Sequence, residues 1–291
     1  MRRTTSALLG LLVCPALGSA QNFDDVQIRT TRVTESIYML QGSGGNIAVS
    51  IGDDGTFIVD DQFAPLTDKI VAAIAELTDH PVDFVVNSHW HYDHTDGNEN
   101  FGRTGALIVA HDNSRRRMAT DQIVSLSDRF QGAYAEVGLP KITFMESMRF
   151  YYNNNTVDVF YTGPGHTDGD AQVYFRDSNV IHTGDMFVRY GLPFIDQPNG
   201  GTTDGMIEAL WSIAGQINDD TVIIPGHGQL STRADLLEYR MMLVTIRGRI
   251  KDQIARGRSI DQVVASNPAR GYAEPGEGTT RWLRAAYEEY R

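Results

Sequence analysis

Cysteine is almost absent from this chain: Cys14 is the only one, and it lies in a segment that the sequence marks for removal. A mature chain starting after that segment has no disulfide and no thiolate with which to bind a metal. Long apolar runs are missing too. The best candidate, Ala7 to Leu17, is too short to span a bilayer comfortably. Basic residues are scarce, with 25 Lys and Arg against 37 Asp and Glu and a net charge of −12. Nucleic acid and anionic membrane surfaces demand clustered cations, so neither is expected as a partner. The one basic run, Arg115-Arg116-Arg117, is expected on a solvated helix face. No repeat, low-complexity tract or long linker interrupts the chain.

The first twenty residues have the form of a secretory signal peptide: Arg2 and Arg3, the apolar run, then Gly18-Ser19-Ala20. Val13 is too bulky for the small residue expected before a lipidated cysteine. The sequence therefore predicts residues 1–20 as a leader and 21–291 as one mature domain, periplasmic or secreted, with no membrane attachment after cleavage. Its oligomeric state is not legible. With 41% hydrophobic residues over 291 positions there is ample material for a core.

Alternating apolar residues open the mature chain, and Gly52-Asp53-Asp54-Gly55 joins two short strands, 46–50 and 56–59. Apolar spacing predicts helices over 66–78, 204–217 and 233–256, and a broken helix over 111–130. Strands are expected at 82–86, 107–110, 142–161, 172–183 and 222–224. That order, strands and helices interleaved, fits two sheets with helices outside.

The sharpest chemical signal is His89-Trp90-His91-Tyr92-Asp93-His94, directly after the strand ending near Val86. Imidazole nitrogens and carboxylate oxygens are the donors that zinc and similar metals prefer. A lone His-rich loop is a weak sign. Here Gly165-His166-Thr167-Asp168-Gly169-Asp170, Thr183-Gly184-Asp185 and Pro225-Gly226-His227-Gly228 put further donors at successive strand ends, with glycines that permit close backbone approach.

His89, His91, Asp93 and His94 match the His-x-His-x-Asp-His signature, and the chain resembles the metallo-β-lactamase superfamily. His166, Asp185 and His227 match its later ligand positions in order, and the resemblance runs from Gly42 to the helix after His227. It implies an α+β fold, a four-layer αββα sandwich with the metal site on one edge of the sheets. It implies two zinc ions, the first on His89, His91 and His166, the second on Asp93, His94 and His227, with Asp185 bridging them or completing the second site. Asp60, in the Asp60-Asp61 pair, corresponds to an acidic residue that orients a ligand histidine. A metal-activated hydroxide would then attack the substrate, with Asp93 orienting it and moving its proton.

The fold does not name the substrate. Asp185 stands where many β-lactamases have Cys or Ser, which points toward the superfamily's lactonases, thioesterases and phosphodiesterases. Export and the loop from Arg189 to Thr203, Asn199 included, point toward a β-lactamase-like relative with a substrate groove. Arg189 is placed either to pair a substrate carboxylate or to bridge a neighbouring acid. Trp90 and Tyr92 either wall the substrate or pack beneath the loop. Hydrolysis of a cyclic amide or ester is the expected reaction on a small-molecule substrate. Phosphodiester, phosphonate or thioester cleavage is the alternative, and metal binding without turnover is the reading of another class.

Overall fold

The computed structural model describes residues 22–124 and 129–291, so the leader lies outside the described residues. Strands β1 (Arg29–Arg32), β2 (Ile37–Gln41), β3 (Ile47–Gly52) and β4 (Gly55–Val59) form an antiparallel meander. Helix α1 (Thr67–Ala75) then returns the chain so that β5 (Val82–Val86) lies parallel to β4. Short helices α2 (Tyr92–Thr95) and α3 (Asn98–Thr104) lead to β6 (Leu107–His111), parallel to β5, and α4 (Asp112–Met118) follows.

Residues 111–130 depart from the expected broken helix. After α4 the chain forms a small hairpin, β7 (Gln122–Val124) against β8 (Arg129–Gln131), before β9 (Ile142–Phe144) closes the first sheet. The Ile123 and Phe130 side chains of this hairpin stay exposed, so its apolar residues carry no helical core face to betray their state. The second sheet runs β10 (Ser147–Tyr152), β11 (Asn155–Tyr161), β12 (Ala171–Phe175), β13 (Val180–His182), then, after α5 (Thr203–Gln216), β14 (Val222–Ile224). Its strands are antiparallel except β13 and β14. Helices α6 (Arg233–Ala255), α7 (Ile260–Ala265) and α8 (Glu277–Tyr290) complete the chain. The sequence reading reached α6 but did not foresee the last two.

Period-two alternation decides which face each residue joins. On β2, Ile37 and Met39 point into the space between the sheets while Leu40 points away, toward α1. Leu66, Ile70 and Ile74 recur at helical spacing and pack that outer face together with Phe101 of α3. Across the molecule, Met206, Leu210 and Ile213 of α5 and Leu236, Leu243 and Ile246 of α6 cover the second sheet. The result is the four-layer order helix, sheet, sheet, helix. Among the described residues no helix is long and apolar enough to cross a membrane.

Phe57 of β4 stands at the centre of the inter-sheet layer, fully buried. Its ring meets Phe150 edge-on at 5.2 Å and Phe175 at 5.9 Å, both from the opposite sheet. Phe57→Ala removes this three-ring contact and is expected to cost about 3–5 kcal/mol of stability, read as a lowered denaturant midpoint with unchanged metal content.

Candidate metal centre

Strand polarity brings the candidate ligands to one edge. The loop after β5 carries His89 to His94, the loop between β11 and β12 carries His166, and β13 and β14 end just before Asp185 and His227. Parallel pairing of β4 with β5 and of β13 with β14, and antiparallel pairing of β11, β12 and β13, put these ends together.

Two glycines permit the crowding. A Cβ at Gly45 would overlap the His94 ring, and one at Gly226 would overlap the Asp185 carboxylate.

Three donor sets converge, His89–His91–His166, His89–His94–Asp185 and Asp93–His94–His227, with the donor atoms of each set within 4.8 Å of one another. His91 Nδ1 lies 2.9 Å from His166 Nε2. His94 Nε2 lies 3.2 Å from His227 Nε2 and 3.3 Å from Asp185 Oδ1. Asp93 Oδ2 is 3.3 Å from His227 Nε2, and the other oxygen of Asp185 is 3.7 Å from His166 Nε2. These separations resemble the edge, about 3.3 Å, of a tetrahedron whose centre-to-ligand distance is about 2.0–2.1 Å. Asp185 thus reaches both halves of the cluster.

The outer hydrogen bonds fix where the imidazole protons sit. Asp60 accepts from the Ser88 backbone N–H at 2.6 Å and the Ser88 hydroxyl at 2.7 Å, and its Oδ2 lies 2.7 Å from His94 Nδ1. With its hydroxyl hydrogen committed, Ser88 Oγ can only accept from His89 Nδ1, 3.0 Å away. His166 Nδ1 donates to the Phe194 carbonyl, and His91 Nε2 donates to Asp196. Neutral tautomers assigned this way leave a lone pair facing inward on all four rings. Lone pairs of His91 and His166 at hydrogen-bond distance repel unless something positive sits between them. His89 Nε2 and Asp185 Oδ1 are buried with no hydrogen-bond partner at all. Both features fit a divalent cation.

Electrostatics agrees. Burial and the neighbouring His94, His166 and His91 push His89 well below the ordinary imidazole range, keeping it in the neutral ligand form. Burial opposes charge on His94 as well, but the Asp185, Asp93 and Asp60 carboxylates outweigh it and hold its affinity for positive charge high. For Asp93, burial is outweighed by His94 and His227, which hold it at about 2.

The residues assigned to the substrate do other things. Trp90 has no exposed surface; it packs with Met118, Val124 and Leu139 beneath the loop, 4.6 Å from the His91 ring, and so does not wall a groove. Arg189 lies 3.4 Å from Asp235, the bridging alternative. Asn199 is buried, accepting from Arg117 and donating to Asp196, so it props the carboxylate behind His91 and does not face a ligand. Arg117 itself leaves the expected solvated face to clasp Asp168 through two hydrogen bonds. Asp60 occupies the orienting position that the resemblance implied. Ser88, Phe194 and Asp196 were not singled out from the sequence: Ser88 adjoins the motif, but Asp196 lies 105 positions from its partner His91, with nothing local to flag it.

The family model described as the metallo-beta-lactamase superfamily matches residues 37–227. Among curated proteins, hydroxyacylglutathione hydrolases of Brucella ovis and Brucella abortus are 26% identical over 184 residues, 62% of this chain. The match spans 62% of those relatives' own length. Among solved structures, a metallo-beta-lactamase from Pontibacter korlensis aligns with a TM-score of 0.62 at 17% identity, covering 75% of this chain and 99% of its own. A stereoselective inverting sec-alkylsulfatase from Pseudomonas sp. aligns at 0.67 and 17% identity, covering 90% of this chain and 50% of its own. At such identities these structures speak for the fold alone.

Removing a carboxylate behind a ligand histidine typically weakens metal binding about 10–100-fold. Asp196→Ala is expected to do so in a zinc titration against a competing chelator while the thermal transition of the metal-free protein stays cooperative. Undiminished zinc affinity would deny Asp196 its role in holding His91.

Proposed function

The chain belongs to the metallo-β-lactamase superfamily, and from that premise we propose that it is a metal-dependent hydrolase that cleaves an acyl ester or thioester, cyclic or open, at a two-zinc centre. His89, His91 and His166 would hold one ion, and Asp93, His94 and His227 the other, with Asp185 within reach of both groups. Divalent cations bound there supply Lewis acidity, lowering the pKa of water toward neutrality and polarising a carbonyl. Zinc is favoured by the number of imidazole donors.

The chain's own residues do the rest. Asp93, whose side chain is 24% exposed at the open side of the cluster, orients the attacking water through Oδ2, takes its proton, and returns it to the leaving oxygen or sulfur. Asp60 and Asp196 hold His94 and His91 in the tautomers that present lone pairs inward.

The observation that carries the choice of bond is Arg189. A β-lactam brings a carboxylate that needs a cation beside the metals, and Arg189, the sequence's candidate, is committed to Asp235. An uncharged ester, lactone or thioester has no such requirement. The relatives' name, hydroxyacylglutathione hydrolase, also supports an acyl bond. Export remains part of this reading and rests on residues 1–20 alone.

A chromogenic cephalosporin, a lactone, a thioester and a bis-aryl phosphate assayed side by side are expected to rank thioester and lactone first, with all turnover abolished by chelator and restored by zinc. Faster cephalosporin or phosphodiester cleavage would overturn the choice. Asp93→Asn, which keeps an amide oxygen in place of the carboxylate, is expected to retain much of the zinc yet lose about 10²-fold or more in kcat, and full activity would strip Asp93 of its proton-handling role. Export predicts that protein recovered outside the cytoplasm has the intact mass of a chain beginning at Gln21; a chain retaining Met1 there would sink it.

A further inference from the structure

We propose that the cleft between the segment 190–198 and helix α8 binds an uncharged hydrocarbon arm of the substrate. This rests on the hydrolase reading and names the kind of molecule the site accepts. The cleft has a volume of about 740 Å³, within the range of roughly 300–1,000 Å³ usual for small-molecule sites. Leu192, Phe194, Ile195 and Pro198 form one wall, and Tyr272 and Trp282 form the other.

Two of its lining side chains, Phe194 and Tyr190, reach the cluster. The Phe194 ring stacks on His91 at 5.6 Å and meets His166 edge-on at 5.5 Å, while its carbonyl holds His166 Nδ1. Tyr190, also lining the cleft, lies 5.7 Å from the His227 ring. The same side chains therefore floor an apolar hollow and touch histidines of both halves of the cluster.

The chemistry of the lining selects against a charged carrier. Among the described residues Glu274 and Arg281 are the only charged ones that line it, both exposed, and Arg281 pairs with Glu277 at 3.1 Å. A polyanionic or zwitterionic arm would shed water there without matched partners. A hydrocarbon arm gains from every methylene it buries. The outer wall, Tyr272 and Trp282, also lies beyond residue 227, where the family match ends. That wall is supplied by the turn before α8 and by α8 itself.

The zinc-loaded protein assayed on p-nitrophenyl esters from acetate to decanoate is expected to show kcat/KM rising about fourfold per methylene until the cleft is full. A flat profile overturns the proposal. Binding of the neutral dye N-phenyl-1-naphthylamine to the metal-free protein, and its displacement by 1-decanol, reads the cleft without turnover. Gly278 lines the cleft, and a Cβ there meets nothing within 4 Å, so Gly278→Trp fills it without displacing backbone. That variant is expected to flatten the chain-length slope and weaken dye binding about tenfold, and Trp282→Ala to move the optimum to longer chains.

Unaltered slope and dye affinity in both variants sink the assignment. Dye binding lost in Gly278→Trp, in a protein that hydrolyses no ester, thioester or lactone, removes the hydrolytic reading and leaves the hydrocarbon site standing. Dye released on raising protein concentration, with a dimer in sedimentation, gives the cleft to a second copy and overturns the proposal.

Discussion

The Asp60 carboxylate is the joint on which the centre turns. It sits at the end of β4 in a left-handed conformation, φ 65°, that costs an ordinary residue about 1 kcal/mol or more. In return its two oxygens take the backbone and hydroxyl hydrogens of Ser88 and face His94 Nδ1. Through Ser88 the constraint reaches His89, and through His94 it reaches the opposite half of the cluster. One buried carboxylate thereby sets two tautomers and ties the end of β4 to the segment that follows β5.

The rest of the centre repeats this economy. His89, His91, His94 and His166 each spend one nitrogen on a partner fixed by the fold and leave the other for the centre. His166 is anchored by a backbone carbonyl, which no side-chain substitution removes. His91 is anchored by a carboxylate, itself braced by Asn199, and Asn199 in turn by Arg117, which Asp168 holds. A chain of polar contacts therefore runs from α4 to the outward-facing nitrogen of His91. Networks of this kind are satisfied as units, and loosening one member leaves others buried and unpaired.

Function separates from fold at the rim. The sandwich is shared with proteins named as a metallo-beta-lactamase and an alkylsulfatase, so it does not choose the bond that is cut. In this chain the surroundings of the cluster come from the 190–198 segment and from helices beyond residue 227. Arg189 is drawn aside by Asp235, Trp90 is packed beneath the loop, and aromatic and aliphatic side chains face the opening.

Much of this was legible from residue order. The 3.6-residue spacing of Leu66, Ile70 and Ile74 announced α1, and the regular apolar face of α6 was read to within a residue of its end. The seven candidate donors were legible because they follow strand ends, four in one short motif and three, His166, Asp185 and His227, beside glycine, a local pattern. The β7–β8 hairpin was not, since its exposed apolar residues follow no core-facing period. What the sequence determined by itself is the kind of donor atoms and the strand ends that carry them. What only the tertiary structure decided is which nitrogen of each ring faces inward and where Trp90, Arg189 and Asn199 spend their contacts. Those choices depend on partners a hundred residues away in sequence, such as Asp196 for His91, and only sheet pairing brings such partners within a hydrogen bond.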